Sequence, residues 1–156
     1  MSADRSSIHD RLVELLEQRI LLLDGAAGTT IFAMGMDEEA IRGERFRDHD
    51  KDLKNFVDLI ALTHPDRLVE MHCQILEAGS DIIETNTFGS SPAGLKDFGL
   101  EHLVEEINTR AVECAREAAD QYNRKTPGKP RFVAGSIGPT TQTASISPRV
   151  EDPGFR

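Results

Sequence analysis

Apolar and polar positions along this chain fall into rhythms that change from segment to segment. Residues 6–18 carry Ile8, Leu12, Leu15 and Leu16 at helical spacing and predict a short amphipathic helix. Ile20-Leu21-Leu22-Leu23 is a brief apolar run ending at Asp24 and Gly25. Such a run, without polar alternation, predicts a strand buried on both faces. DGAAGTT follows and predicts a tight turn. Residues 36–62 are charged and poorly periodic, so they predict a long excursion with short helical pieces, a kind of segment that is often functional inside compact domains.

Thr63-His64-Pro65-Asp66 predicts a helix start, with Thr63 as N-cap, Pro65 early and Asp66 in the first turn. Leu68, Met71, His72, Ile75 and Leu76 then form an apolar stripe, and Gly79 is a C-terminal stop. Residues 81–88 predict a second strand, and Gly89 to Pro92 a turn. The clearest helix spans 101–123, where Leu100, Leu103, Val104, Ile107, Ala111, Cys114, Ala115, Ala118 and Tyr122 recur at three- and four-residue steps. Residues 126–130 break it. Residues 131–137 predict a third strand ended by Gly138-Pro139, and residues 140–156 read as loop. Strands alternating with helices imply an α/β fold with parallel strands joined by crossovers.

The chain has 156 residues, enough for one domain with a core. Its formal charge of −9 does not favour nucleic acid or an anionic membrane surface as a partner. The longest apolar run is too short to cross a bilayer, and the charged N-terminus carries no secretory pattern. Cys73 and Cys114 form neither a CxxC motif nor a disulfide framework, which fits a reducing cytoplasm.

Each strand ends in a polar or glycine-rich segment: DGAAGTT, ETNTFG and GSIGPTTQT. In parallel α/β folds, ligands lie beyond the carboxyl ends of the strands. Gly25, Ala26, Ala27 and Gly28 let backbone N–H groups approach a ligand closely, which suits a carboxylate or phosphate. Asp24 and Glu84 can accept from an ammonium group. Donors beside acceptors match a zwitterion such as an amino acid. The plainer alternative is that Asp24 and Asn86 only cap turns. DGAAGTT lacks the GK[ST] ending of a phosphate-binding loop and is not GxGxxG.

The five histidines make no ligand cluster, and His64 and His72 lie eight apart, too far for the i, i+4 zinc geometry. His72 reads as a partly buried core histidine. Cys114 reads as a small hydrophobe on its helix stripe, and Cys73 as either exposed or packed. Two cysteines on two helices do not make a tetrahedral zinc site. The charge run from Arg42 to Lys54 reads as a solvated surface.

LLLDGAAGTTI, RGERF, DLK, EAGSDIIETNTF, KPRFVAGSIGPT and TASISPRVEDPGFR, in this order, resemble the N-terminal homocysteine-binding domain of the cobalamin-dependent methionine synthases. These belong to the homocysteine S-methyltransferase family. The likeness runs from Ile20 to Arg156, and RGERF and TASISP are similar to the cobalamin-dependent branch rather than the betaine-using one. The resemblance implies a TIM-type (βα)8 barrel, with residues 1–19 as a leading helix and 20–156 as about the first three βα units. It implies homocysteine as substrate, a zinc ion held by three Cys thiolates that activates its sulfur, and methyl transfer from methylcobalamin, recharged from 5-methyltetrahydrofolate, to give methionine.

Carried over motif by motif, the resemblance makes Asp24, Gly25, Ala26, Ala27, Gly28 and Thr29 the turn that contacts the amino and carboxylate groups of homocysteine. It makes Glu84, Thr85, Asn86, Thr87 and Gly138 lining residues of the pocket. None of these is a nucleophile or metal ligand. The family's zinc cysteines, and a Glu that helps hold the substrate amino group, belong to later strands. Where the family has Gly-Asn-Asn-Asp after DLK, this chain has Asn55-Phe56-Val57-Asp58. A barrel needs eight strands and about 250 residues, so the chain reads as a fragment that binds no cofactor and is inactive by itself. Its partners would be the remaining barrel and the folate and cobalamin modules of the same protein. Its open strand edges predict instability or self-association. A non-catalytic regulatory or assembly module is the alternative, and a phosphate-binding barrel enzyme a third.

Overall fold

A computed structural model describes residues 5–24, 27–139, 151, 152 and 154. The elements in chain order are α1 (Arg5–Gln18), α2 (Ala27–Ala33), α3 (Glu38–Arg42), α4 (Ile60–Thr63), α5 (Pro65–Glu77), β1 (Ile82–Glu84), α6 (Pro92–Lys96), α7 (Val104–Lys125) and β2 (Phe132–Ala134). Short 3-10 turns, Val57–Leu59 and Glu101–Leu103, lead into α4 and α7.

The two long helices follow their apolar stripes. α5 buries Leu68, Met71, His72 and Leu76, and α7 buries Ile107, Ala111, Cys114, Ala115, Ala118 and Ala119. The small side chains of α7 let α5 pack closely against it, and Leu76, Ile83, Ala115 and Ala118 join that pair to the sheet. The larger cluster lies under the 36–62 excursion, where Ile31, Ile41, Leu53, Phe56, Leu59 and Ile60 meet Leu68, Leu95 and Ile107.

β1 and β2 run parallel in the register Ile82↔Phe132, Ile83↔Val133 and Glu84↔Ala134. On the other side of β1, Leu23 makes a single parallel bridge to Ile82. Leu22 O accepts from Asp81 N and Ile82 N, and Asp24 N donates to Ile82 O. β1 therefore lies between the other two segments, in chain order.

Several expectations are corrected. Ile20–Leu23 is not a strand buried on both faces: Ile20 is 83%, Leu22 55% and Leu23 54% exposed, because nothing among the described residues covers their outer side. DGAAGTT is only partly a turn, since α2 begins at Ala27. Thr63 is not the cap of α5. It ends α4, its hydroxyl donates to Ile41 O and Leu59 O, and His64 takes the N-cap position without a side-chain bond. The second and third strands shrink to three residues each. Proline-led α6 begins where the sequence predicts only a turn over Gly89 to Pro92, and is capped by Ser91 Oγ accepting from Gly94 N. Arg42 is not merely solvated. Its guanidinium spans Glu38 and the carbonyls of Phe46, His49 and Lys51, tying down the excursion.

Candidate functional site

The ends of the three parallel segments meet at one pole. The Asp24 carboxylate accepts from Glu84 N at 3.2 Å, so DGAAGTT and ETNTFG begin side by side. Burial pushes the Asp24 carboxyl up from its ordinary value. The Glu84 N–H partly opposes that, and the neighbouring Glu84 charge adds to it. Glu84 in turn accepts from Ser136 Oγ at 3.3 Å.

Beyond Glu84 the chain is fixed by a ring of hydrogen bonds to the residues after β2. Ser136 N donates to Thr85 Oγ1 at 3.0 Å, and Thr87 Oγ1 donates to Ser136 O at 2.8 Å. The two threonine hydroxyls are 2.8 Å apart. Thr87 spends its only hydrogen on the carbonyl, so Thr85 must be the donor between them. Further on, Gly138 N donates to Phe88 O at 2.9 Å.

A cavity of about 310 Å³ opens at this pole. Ala27 and Gly28 of α2 form one wall. Glu84, Thr85 and Asn86, with Ser136, form the floor, and Asn55 to Asp58, Phe88, Gly89 and Phe98 complete it. The rings of Phe56 and Phe98 stack with centroids 4.6 Å apart. A larger, open depression of about 930 Å³ lies over α3, lined by Asp37, Glu38, Arg42, Arg47 and His64, and none of the strand-end residues reaches it.

Of the residues singled out from the sequence, Ala27, Gly28, Glu84, Thr85 and Asn86 line the cavity. Asp24 stands behind Glu84. Thr87 is buried behind the floor in the hydroxyl ring, and Gly138 braces Phe88. Thr29 is exposed on α2 and is not among the lining residues. Gly25 and Ala26 lie outside the described residues.

The sequence reading missed Asp58, Phe98 and Ser136. Asp58 is 3% exposed, and one of its oxygens accepts from Gly89 N and Ser90 Oγ, both at 2.7 Å. Burial raises its carboxyl above the ordinary range, against the pull of those two donors. No local signal marks Asp58, because its partners lie 31 and 32 residues away.

The cysteines do not fit a thiolate-held zinc. Cys73 sits on α5 with Sγ 3.7 Å from Gln121 Oε1, and Cys114 is buried on α7. Burial raises both thiols, the wrong direction for a metal ligand. No group of three His, Cys, Asp or Glu among the described residues could hold a metal ion. His72 is wholly rather than partly buried, with both ring nitrogens unpartnered. No described helix is long and apolar enough to cross a membrane.

Residues 21–155 match the family described as homocysteine S-methyltransferase. Among solved structures, the chain is similar to the homocysteine methyltransferase MmuM from Escherichia coli in its oxidized form, at 29% identity and a TM-score of 0.63, over 80% of this chain and 39% of that one. The metallated form of the same enzyme gives 27% identity and a TM-score of 0.63, over 81% and 40%. The chain thus spans about two fifths of the length of the structures it matches.

Proposed function

The chain belongs to the homocysteine S-methyltransferase family, and we propose that it supplies the amino-acid cradle of a (βα)8 barrel that methylates the sulfur of homocysteine to give methionine. The observation that carries this reading is the juxtaposition of Gly28, Glu84 and Asn86 around one small cavity at the strand ends.

The cradle works on the charged head of the substrate. The Glu84 carboxylate, backed by Asp24, accepts from the ammonium group. Ala27 and Gly28, at the cavity wall, are small enough for their backbone to approach the carboxylate closely. Asn86 Nδ2 donates to Val57 O at 2.9 Å, which fixes that side chain at the cavity wall. A rigid grip on the head aims the sulfur, and that aim lowers the entropic part of the barrier.

RGERF and TASISP extend the proposal to the cobalamin-dependent branch, with methylcobalamin, recharged from 5-methyltetrahydrofolate, as the donor. Methylcobalamin supplies a methyl group open to attack by a thiolate. Folate and cobalamin are assigned to other modules. Cys73 and Cys114 do not provide the thiol-activating zinc, so residues 1–156 on their own are expected to make no methionine.

The test is to titrate homocysteine by calorimetry into the polypeptide as its gene encodes it, then to assay methionine with methylcobalamin or betaine as donor. Saturable homocysteine binding with turnover from methylcobalamin is the expected result. No homocysteine binding would overturn the cradle, and turnover from betaine alone would overturn the branch.

A further inference from the structure

We infer that Asp58 is a positioning residue for this cavity: its buried carboxylate clamps the turn after β1 and so sets where Glu84, Thr85 and Asn86 stand against the ligand. The inference rests on the homocysteine reading above.

The clamp is anchored in the core. Asp58 belongs to the 3-10 turn Val57–Leu59, and the adjoining Leu59, Ile60 and Ala61 are buried at 0–1% exposure. That packing fixes the backbone of Asp58. Its Oδ2 then accepts from Gly89 N and Ser90 Oγ, both at 2.7 Å. Two further side chains hold the same stretch. Asn86 Nδ2 donates to Val57 O at 2.9 Å, and Asn108 Nδ2, on α7, donates to Ser90 O at 2.8 Å. The packing is close, since a Cβ at Gly89 would stand 3.3 Å from the Phe56 ring and 3.4 Å from Asp58 Oδ2. Residues 84–86 are therefore held at one end by the sheet and at the other by Asp58. Without the carboxylate, a backbone N–H and a buried hydroxyl lose their acceptor, and the turn is free to shift by the ångström that a small ligand notices.

The chemistry separates a clamp from a direct ionic contact. One oxygen takes both donors, so the amide oxygen of an asparagine can replace it, whereas an alanine cannot. A carboxylate that gripped the substrate ammonium by its charge would fail in both variants.

The experiment measures homocysteine affinity by calorimetry, and amide exchange at Gly89, on the polypeptide as its gene encodes it. Asp58→Ala is expected to weaken affinity about tenfold and to speed Gly89 exchange about tenfold, since Gly89 N and Ser90 Oγ both lose their acceptor. Asp58→Asn is expected to stay within about threefold of the parent in both. Leu15→Ala, destabilised through packing on α1 alone, should lower the melting midpoint and leave the affinity of the folded protein unchanged. If Asp58→Ala does not fold, Ser90→Ala should weaken affinity about threefold.

Parent-like binding by Asp58→Ala, or by Ser90→Ala in its place, overturns the inference. So does an Asp58→Asn variant as weak as Asp58→Ala, which would mark a charge contact. A parent protein that binds no homocysteine overturns the functional reading itself, and the clamp falls with it.

Discussion

The Asp81 carboxylate takes both Nη groups of Arg19, at 2.7 and 2.8 Å, and receives Leu22 N at 3.0 Å as well. This pair pins the end of α1 to the start of β1, across 62 residues of chain. The Asp81 side chain is 1% exposed and that of Arg19 37%, so the carboxylate is the buried partner.

The Arg19 hydrogen bonds, against a smaller cost of burial, hold the Asp81 carboxyl down to about 2 from its ordinary 3.8. A depressed carboxylate stabilises the fold above its unfolded value and loses that effect as pH falls through the folded one. Melting followed by circular dichroism should therefore show a midpoint falling between about pH 4 and pH 2. Arg19→Ala should flatten that fall. Asp81→Ala should cost about 1–3 kcal/mol at neutral pH, because Leu22 N loses its acceptor.

His72 acts in a different window. Burial alone lowers its imidazole from 6.5 to about 4. Below pH 6.5 the unfolded chain takes up a proton that the folded protein refuses, so stability falls from about pH 6.5 to pH 4 and then levels, by at most about 3 kcal/mol. His72→Leu should abolish this slope in urea titrations. It should also raise neutral-pH stability by about 1 kcal/mol, since both ring nitrogens are buried without partners.

Gly94 and Gly138 are held by close approach. A Cβ at Gly94 would stand 2.3 Å from Gly89 O, and one at Gly138 2.4 Å from Phe88 O. Gly94→Ala and Gly138→Ala should each destabilise by about 2 kcal/mol or more in denaturant unfolding. Gly128→Ala, which meets nothing within 4 Å, should stay within about 0.5 kcal/mol of the parent.

Thr87→Val keeps the shape of the side chain but strands the Thr85 hydroxyl and Ser136 O. It should cost about 1–3 kcal/mol by chemical denaturation. Ser136→Ala is the comparison: the ring uses only the backbone of residue 136, so only the 3.3 Å bond from its hydroxyl to Glu84 is lost, at a cost of about 0.5–1 kcal/mol.

The helices were the most legible part of the sequence. The α5 and α7 stripes describe a local rhythm, and the core they form keeps it. The strands were less legible because pairing decides their length. Among the described residues the apolar run Ile20–Leu23 makes one bridge, at Leu23, since a strand extends only as far as its neighbours do. α2 was misread because Gly28 and the threonines suggest a turn, while Ile31 docks the segment as a helix at 0% exposure. Ser91-Pro92 is a local helix start, with Ser91 as the cap and Pro92 in the first turn. At the site, Glu84, Thr85 and Asn86 could be read because a strand end is a local feature. Asp58, Phe98 and Ser136 arrive from other elements, and only the folded chain brings them in.

The hydroxyl ring of Thr85, Thr87 and Ser136 bears on how the cavity meets a guest. Every hydrogen in the ring is already committed, so no rotor there has to swing when a molecule enters. The floor is preorganised, and entry carries no reorganisation penalty on that side. Any adjustment between empty and filled forms then falls to the opposite wall, at Ala27 and Gly28 of α2.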